Sequence, residues 1–343
     1  MTRNIKFLII AALAGILFSA CAKEKSESDR SIQKRILEAY LNVNYPDKNY
    51  TITSSGLVIL DHQEGTGSKP EKYGAAYIMS SVKSLEGNYE STNYKDLADT
   101  LGTYDPTKYY GPTLAEIGYG KITKGMQEAL LMMREGGKMK IIISPELSSY
   151  DAESTAPGYT VETSTGSSIN RIYEVELKHA ISDIFKFQRD SLESFRDIHY
   201  PGLDSIADGY YFKKLSGTCK DTIEKSTSVD VWYVGKLLDG YVFDTNIEDT
   251  AKKYRIYNPS GTYTALSVNM KSTYKEMTSG ESEDGDGYVG GFARALKSMT
   301  YGDRAVTFFN SNWGYGSDGS ESDGVGVPPF AMMFFELYIA PQN

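Results

Sequence analysis

The sequence predicts an α+β protein that is made of two tandem copies of one domain. Its 343 residues are enough for two domains on the usual relation between chain length and domain number. The segment from Gly287 to Gly316 has the pattern of a helix, a turn, a buried strand and a loop with aromatic residues. The same order, at the same spacing, occurs once earlier, from Gly125 to Pro145. A spacing that is kept across two glycines, an apolar helix face and a strand indicates a tandem duplication.

Each copy of the repeated segment predicts a short amphipathic helix followed by a strand. Apolar residues at helical spacing form one face of each helix. They are Met126, Leu130 and Met133 in the first copy and Phe292, Leu296 and Met299 in the second. We predict that Gly302 is the glycine that ends the second helix. Apolar runs at 139–143 and 305–309 then predict buried strands.

Other stretches predict the remaining elements. Residues 31–42 have the pattern of an amphipathic helix, which either covers one side of the first domain or mediates self-association. Residues 183–196 predict a polar connector helix. Strands are predicted at 56–60, 75–82, 89–92 and 173–177 in the first copy and at 209–215, 229–237, 242–245 and 331–339 in the second. Polar, tyrosine-rich insertions are predicted at about 93–116 and 246–286.

The composition argues against some classes of protein. A net charge of −9 and a pI near 5.1, without a stripe of lysine and arginine, argue against a nucleic-acid partner. An apolar content of 40% is enough to build cores, so the chain does not have the composition of a disordered protein. The 27 tyrosines favour a β-rich structure with an amphipathic aromatic surface.

Residues 1–20 have the pattern of a lipoprotein signal peptide. A basic start is followed by an apolar run from Phe7 to Phe18, which is too short to span a bilayer as a mature helix. Phe18-Ser19-Ala20-Cys21 is similar to a bacterial lipobox, which implies that Cys21 becomes lipidated and N-terminal after cleavage. The acyl anchor would hold the protein at the bacterial cell envelope, on the periplasmic or surface face of the outer membrane. An ordinary secretory peptide with an incidental cysteine is the alternative.

Residues that carry metal or nucleophilic chemistry are few. The only cysteines are Cys21 and Cys219, so a lipidated Cys21 leaves no partner for a disulfide, and Cys219 is interpreted as structural. The three histidines are far apart in sequence, which argues against a metal site. No motif for a cofactor or an activated nucleophile occurs in the sequence. A cluster of acidic residues lacks the register of a calcium loop and predicts a solvated loop; it consists of Glu281, Glu283, Asp284 and Asp286.

The second copy carries a family resemblance. Residues 233–244, with the sequence YVGKLLDGYVFD, are similar to the pattern Y-x-G-x-L-x-(D/E)-G-x-x-F-D of the FKBP-type peptidyl-prolyl isomerases. Further matching pieces follow in the family's order: Val289-x-Gly291-Phe292, Met299-x-x-Gly302, Trp313-Gly314-Tyr315-Gly316, Val327-Pro328-Pro329 and Glu336-Leu337. The resemblance covers nearly all of the second copy apart from the predicted insertion. It implies two tandem FKBP-like domains, each a curved antiparallel sheet wrapped around a short helix.

The resemblance also implies a pocket for the proline ring of a polypeptide client. Rotation about an X–Pro bond faces a barrier of roughly 18–20 kcal/mol from amide resonance. An apolar pocket without water favours the twisted amide, which is less polar than the planar one. This chemistry needs no cofactor and no metal.

The family's pocket residues can be placed on this sequence. Phe292 stands at the pocket floor, where the family has a tryptophan. Phe335 lies on the same strand face as the wall residue Met333. Tyr315 would donate a hydrogen bond to the substrate carbonyl, and Asp244 would orient and polarise the site. The walls would be formed by Tyr233, Phe243, Val289, Val327 and Met333.

The first copy keeps the scaffold and loses the site. Ser80 stands at the position of the pocket tyrosine, Tyr89-Glu90 replaces the family's Phe-Asp, and Met126 is the floor residue. The segment Ser148-Ser149-Tyr150 replaces the aromatic loop. We therefore predict a copy that folds alike and has weak or no isomerase activity.

The predicted organisation has five parts. These are a lipoprotein signal peptide (1–20), a lipidated tether with a helix (21–45), a degenerate FKBP-like domain (46–182), a connector helix (183–205) and an FKBP-like isomerase domain (206–343). The first predicted function is that of a foldase, which isomerises X–Pro bonds in proline-containing exported or envelope proteins. The alternative is a non-catalytic chaperone or protein-binding module of the envelope, which would use the same groove without turnover.

Overall fold

The computed structural model describes residues 28–150, 166–278, 287–320 and 326–342. Within these ranges the chain forms two antiparallel sheets, and each sheet takes its strands from one half of the sequence. The two sheets have the same strand order once an extra edge strand of the first is set aside. The predicted α+β fold with two tandem copies is therefore confirmed.

The first sheet has seven strands, and its last strand in sequence lies near its centre. The strands are β1 (Thr51–Ile52), β2 (Val58–Gln63), β3 (Ala75–Ser84), β4 (Tyr89–Thr92), β5 (Thr113–Glu116), β6 (Lys138–Ile143) and β7 (Arg171–Ile181). Their order is β1-β2-β6-β7-β3-β4, and β5 also pairs with β3. The helices of this half are α1 (Asp29–Asn44), α2 (Lys95–Thr100) and α3 (Lys124–Met132).

The second sheet has six strands in the corresponding order. The strands are β8 (Tyr210–Ser216), β9 (Ser228–Leu237), β10 (Val242–Thr245), β11 (Leu266–Asn269), β12 (Arg304–Phe309) and β13 (Met333–Ile339). Their order is β10-β9-β13-β12-β8, with β11 also paired to β9. The helices are α4 (Ile184–His199), α5 (Glu248–Lys253) and α6 (Gly290–Lys297).

Helices α3 and α6 pack against the inner faces of their sheets and form the two main cores. Both approach the following strand closely, which requires glycine on the helix. A Cβ at Gly125 would lie 3.0 Å from the side chain of Ile143, and a Cβ at Gly291 would overlap the ring of Phe309. The repeated glycines of the sequence therefore mark the contact between helix and strand in each half.

Helices α1 and α4 cover the outer faces of the sheets. Each is 16 residues long, and each is capped at its C-terminus by a tyrosine, Tyr45 or Tyr200. On the first sheet, Leu41 of α1 packs with Val58 and other outer-face residues. On the second sheet, Leu192 packs with residues of β8, β12 and β13. Of the two roles left open for the first helix, the structure places it as a cover for the first sheet.

The two tyrosine-rich segments that the sequence predicted as insertions belong to the repeated fold, so that prediction was wrong. Each contains a short helix (α2 or α5) followed by a strand (β5 or β11) that pairs with the equivalent strand of its sheet, β3 or β9. Their strands are only four residues long and stand among turn-forming and polar residues, which is why the sequence did not reveal them. Residues 279–286, which include the predicted acidic loop, lie outside the described residues.

Gly302 does not end α6, contrary to the prediction. The helix ends at Lys297, with Ser298 as its C-cap. Gly302 has a φ of +74° in the turn before β12, and its N–H donates to the carbonyl of Ile339 at 3.0 Å. A left-handed glycine is needed there to bring the chain onto β13.

The N-terminal predictions concern residues outside the described ranges. The signal peptide and Cys21 both precede residue 28, where the description begins. Among the residues that the structure describes, no helix is both long and apolar enough to cross a bilayer.

Candidate prolyl-binding site in the second domain

The predicted pocket residues of the second half meet on one side of its core. Phe292 on α6 lies 5.3 Å from Phe335 on β13, centroid to centroid, and Phe243 on β10 lies 5.6 Å from Phe335. Both pairs are tilted towards an edge-to-face arrangement, which the ring quadrupoles favour. Each of these three rings is at most 5% exposed, so they form an apolar bed.

Polar groups stand at the mouth of this bed. The hydroxyl of Tyr233 donates to Oδ2 of Asp244 at 2.7 Å, and the Tyr233 ring meets Phe292 edge-on at 5.7 Å. Asp244 is exposed, and Tyr315 is 40% exposed. The rim therefore carries two phenols and one carboxylate, above a floor made of phenylalanines.

The two phenols at the mouth keep their protons. Burial, and then the carboxylate of Asp244, raise the pKa of Tyr233 above its ordinary value. The same two causes, in the same order, raise the pKa of Tyr315. Because both hydroxyls remain neutral, Tyr315 keeps a proton that it can donate to a carbonyl oxygen.

The strand geometry explains how Phe243 reaches the bed. The register of β9 and β10 shifts between Val242 and Asp244, so that Phe243 sits in a β-bulge. Opposite it, Gly235 leaves room for the ring: a Cβ there would lie 2.7 Å from Cε2 and Cζ of Phe243 and 3.0 Å from Cε1 of Phe335. The glycine of the motif is thus required by the packing of two pocket rings.

The remaining predicted wall residues lie in the same core. Val289 is half-buried at the N-cap of α6, and Val327 is 4% exposed. Met333 is fully buried beneath the aromatic loop, where a Cβ on Gly314 would lie 2.7 Å from its sulfur. Met333 therefore supports the loop from below.

The loop that carries Tyr315 is held from both sides. The guanidinium of Arg294 lies 4.9 Å from the ring centroids of Tyr210 and Trp313 and 5.6 Å from that of Tyr274. The indole of Trp313 donates to the carbonyl of Asp208 at 3.0 Å. These contacts fix the loop on α6 and on the segment before β8.

Gln188 of α4 reaches the start of the same loop. It is fully buried, its Oε1 accepts from the N–H of Ser311 at 3.0 Å, and its Nε2 donates to the carbonyl of Phe330 at 2.9 Å. The outer helix is therefore connected to both chain segments that border the site.

The first half carries different side chains at the equivalent places. Strand register aligns Ser80 with Tyr233, as the sequence predicted. It aligns Glu90 with Phe243 and Ser91 with Asp244, because the β4 bulge falls at Glu90. The prediction that Tyr89-Glu90 replaces Phe-Asp was therefore wrong by one residue, since it matched the pair by aromatic character and could not see the bulge.

A charged residue takes one of the three bed positions in the first half: Glu90 aligns with Phe243, whereas Tyr173 aligns with Phe335, and Arg171 aligns with Met333. Arg171, at the start of β7, forms an ion pair and hydrogen bond with Glu90, and it also bonds Ser167. The guanidinium and the carboxylate side chains are 27% and 33% exposed. Met126, at the position of Phe292, is 7% exposed and belongs to the first core.

Sequence reasoning missed several contributors to the site. Tyr288 lies 5.6 Å from Phe292, although its place beside the Val-x-Gly-Phe motif was a usable signal. The role of Gly235 could not be found without the bulge. Asn246 was also missed as a contributor to the site; its Oδ1 accepts a hydrogen bond from the N–H of Tyr233 at 2.9 Å.

Comparison with known proteins identifies the family of the chain. The model of the FKBP-type peptidyl-prolyl cis-trans isomerases matches residues 101–178 and 219–339, which lie in both halves of the chain. The chain belongs to this family. The FKBP match therefore agrees with the tandem arrangement of the two sheets.

Individual FKBP proteins resemble parts of the chain. A chloroplastic peptidyl-prolyl cis-trans isomerase, FKBP16-3 of Arabidopsis thaliana, is 24% identical over 157 residues. This match covers 46% of the present chain and 64% of the relative, which is less than two thirds of the relative's length.

Solved structures of similar proteins share the family. The three FKBP domains of wheat FKBP73 are 15% identical, with a TM-score of 0.29, and the match covers 85% of this chain and 98% of that one. FkpA from Escherichia coli is 21% identical, with a TM-score of 0.30, over 52% of this chain and 72% of that one. Because these TM-scores are low, the family assignment rests on the family model.

Proposed function

We propose that the protein is a peptidyl-prolyl cis-trans isomerase and that its active site lies in the second domain. The observation that carries this proposal is the hydrogen-bonded pair of Tyr233 and Asp244 above the ring bed of Phe243, Phe292 and Phe335. The FKBP motif residues converge there, although they come from β9, β10, α6 and β13.

The proposed mechanism uses an apolar surface and one hydrogen-bond donor. The prolyl ring of a client lies on the phenylalanine bed, which excludes water from the amide. Rotation about the C–N bond removes amide resonance and lowers the polarity of the amide, so an apolar site disfavours the planar state more than the twisted state. Tyr315 donates to the client carbonyl and holds it during rotation. No covalent bond forms or breaks.

The same reasoning makes the first domain non-catalytic. At the place of Phe243 it presents Glu90, which is paired with Arg171 at the place of Met333, and at the places of Tyr233 and Asp244 it presents Ser80 and Ser91. A prolyl ring that settled there would have to desolvate part of the Arg171–Glu90 pair, a cost in free energy that the phenylalanine bed of the second domain does not impose.

Matched variants in the two domains test where the site lies. We expect Phe243→Ala and Asp244→Ala to lower kcat/KM for a proline tetrapeptide by about tenfold or more. The structurally equivalent changes Glu90→Ala and Ser91→Ala should leave kcat/KM at the wild-type level. Circular dichroism would confirm that each variant is folded, and Asp244→Ala, at an exposed residue, is the safer of the two second-domain changes.

Two results would remove the proposal. One is a wild-type protein without turnover; the other is turnover that survives both second-domain changes. A protein that binds proline peptides but does not turn them over would instead be the non-catalytic chaperone that the sequence left as the alternative.

We further propose that the clients are proline-containing exported or envelope proteins, and that an acyl chain on Cys21 holds the enzyme at the envelope. The support is the sequence of residues 1–21 alone, with its basic start, apolar run and lipobox-like end. Expression in a bacterial host with labelled fatty acid tests it. The wild type should be labelled and should sediment with membranes, whereas Cys21→Ser should be unlabelled. An unlabelled wild type would show that the leader is of the ordinary secretory kind.

A further inference from the structure

The two domains meet through a loop of the first domain and the hairpin between β9 and β10. Tyr109 in this loop packs edge-on against Tyr241, with ring centroids 5.4 Å apart. The hydroxyl of Tyr109 donates to Oδ2 of Asp239 at 3.0 Å. The hairpin is the segment that joins Tyr233 on one strand to Phe243 and Asp244 on the other.

One backbone carbonyl of the first domain contacts two segments that enter the site. The carbonyl oxygen of Thr107 accepts from the hydroxyl of Tyr241 at 2.7 Å and from the N–H of Gly326 at 3.2 Å. Tyr241 is two residues before Phe243, and Gly326 directly precedes Val327. The position of this oxygen therefore limits how far two walls of the site can move apart.

The loop that presents this carbonyl is held by its own hydrogen bonds. Oδ1 of Asp105 accepts from the N–H of Thr107 at 3.0 Å and from its Oγ1 at 2.6 Å. The hydroxyl of Tyr110 accepts from the N–H of Asp105 at 3.1 Å. Bonds within the first domain thus fix the Thr107 carbonyl, so it can act as a rigid support.

We propose that the first domain positions the prolyl site of the second domain through this loop, with Tyr241 as the positioning residue that connects Thr107 to the β10 wall. The inference rests on the proposed function, because it assigns to the non-catalytic copy a role in the turnover of the other. Tyr241 does not touch the client; it acts by keeping Phe243 and Val327 at the spacing that the prolyl ring requires.

A tyrosine-to-phenylalanine change tests the contact with little disturbance of packing. Tyr241→Phe removes the bond to Thr107 and keeps the ring against Tyr109. The matched control is Tyr257→Phe, because Tyr257 is 39% exposed and stacks on Tyr263 within the second domain. All variants are made in the full chain, and hydrogen exchange of the Gly326 amide is measured beside kcat/KM.

The expected result has two parts. Tyr241→Phe should lower kcat/KM for a proline tetrapeptide by roughly fivefold, the effect of one hydrogen bond, and should speed exchange at Gly326. Adding Tyr109→Phe should lower turnover further, while Tyr257→Phe should match the wild type in both measurements.

Three outcomes would overturn the inference. The first is that the wild type is active and the Tyr241→Phe variant has the same kcat/KM as the Tyr257→Phe control. The second is that Tyr241→Phe speeds hydrogen exchange at Gly326 but leaves kcat/KM unchanged, because the contact would then stabilise the structure without affecting turnover. The third is that Tyr241→Phe lowers kcat/KM but leaves hydrogen exchange at Gly326 unchanged, because Tyr241 would then not act through the Thr107 carbonyl. A wild type without turnover would instead remove the proposed function itself.

Discussion

Asn93 and Asn246 make the same backbone hydrogen bonds in the two domains. Oδ1 of Asn246 accepts from the N–H of Tyr233 at 2.9 Å, and its Nδ2 donates to the carbonyl of Val231 at 2.8 Å. Asn93 likewise accepts from Ser80 at 2.6 Å and donates to the carbonyl of Ile78 at 3.1 Å. Each asparagine therefore completes the edge of its sheet just after the bulged strand ends.

Matched changes of the two asparagines test which domain carries the isomerase activity. Asn246→Ala leaves a buried N–H and a buried carbonyl without partners, so we expect it to lower the free energy of unfolding by about 3 kcal/mol. It also frees the backbone of Tyr233, so turnover should fall. Asn93→Ala should destabilise the first domain by a similar amount with a smaller effect on turnover. Chemical denaturation and a proline-peptide assay measure both; a larger loss of turnover in Asn93→Ala would contradict the assignment.

Gly235→Ala should damage the site by crowding it. The added methyl would meet the rings of Phe243 and Phe335, so we expect a loss of about 1–3 kcal/mol in stability and a fall in kcat/KM. Gly290→Ala is the control, since a Cβ there would lie 3.5 Å from Trp313, an ordinary contact. Equal effects of the two changes would show that the close approach at Gly235 does not matter.

Turnover should be insensitive to alkaline pH over a wide range. Burial and Asp244 raise the pKa of both Tyr233 and Tyr315, so the neutral phenols are favoured by folding. Their contribution to stability is present below the unfolded value of about 10 and is lost only as pH rises through the higher folded pKa. A profile of kcat/KM should therefore stay flat from about pH 7 to about pH 10. A decline with a midpoint within that range would contradict the role given to Tyr315.

Arg294 should matter more than an arginine that lies over a single ring. It stands among Tyr210, Tyr274 and Trp313, so Arg294→Ala should cost about 1–2 kcal/mol and loosen the loop of Tyr315. Arg304→Ala is the control, because exposed Arg304 lies over Tyr338 alone. Tryptophan fluorescence can follow unfolding, since Trp313 is one of only two tryptophans. A control that loses as much stability would contradict the prediction.

Much of the fold could be predicted because it depends on local patterns. Glycine spacing and apolar periodicity located α3, β6, α6 and β12, and alternation located β7. Two features could not be found this way. The amphipathic pattern of α1 shows that one face is buried and does not name the surface that buries it. The strands β5 and β11 are four residues each, and unlike the equally short β4 and β10 they do not follow a hairpin turn that would mark where they begin.

The positions of site residues could be predicted where a sequence motif fixes each residue. They could not be predicted where residues distant in sequence determine the position of a side chain. The motif brought Tyr233, Phe243 and Asp244 together as expected, because it spans one hairpin. The alignment of Glu90 with Phe243 depends on a bulge, which no residue type announces. The support that Tyr241 receives from Thr107 joins residues of different domains, and no local pattern encodes such a contact.

Strands β7 and β13 come last in their halves, yet each lies between two partners inside its sheet. During synthesis, the first unit can therefore close once β7 has emerged, while the second half is still being made. The second unit has a gap between β9 and β12 until Met333–Ile339 arrives. Phe335 belongs to that final strand, so a chain that stops earlier is a complete first half attached to an open sheet. The residues of the candidate site can therefore come together only after β13 has been made.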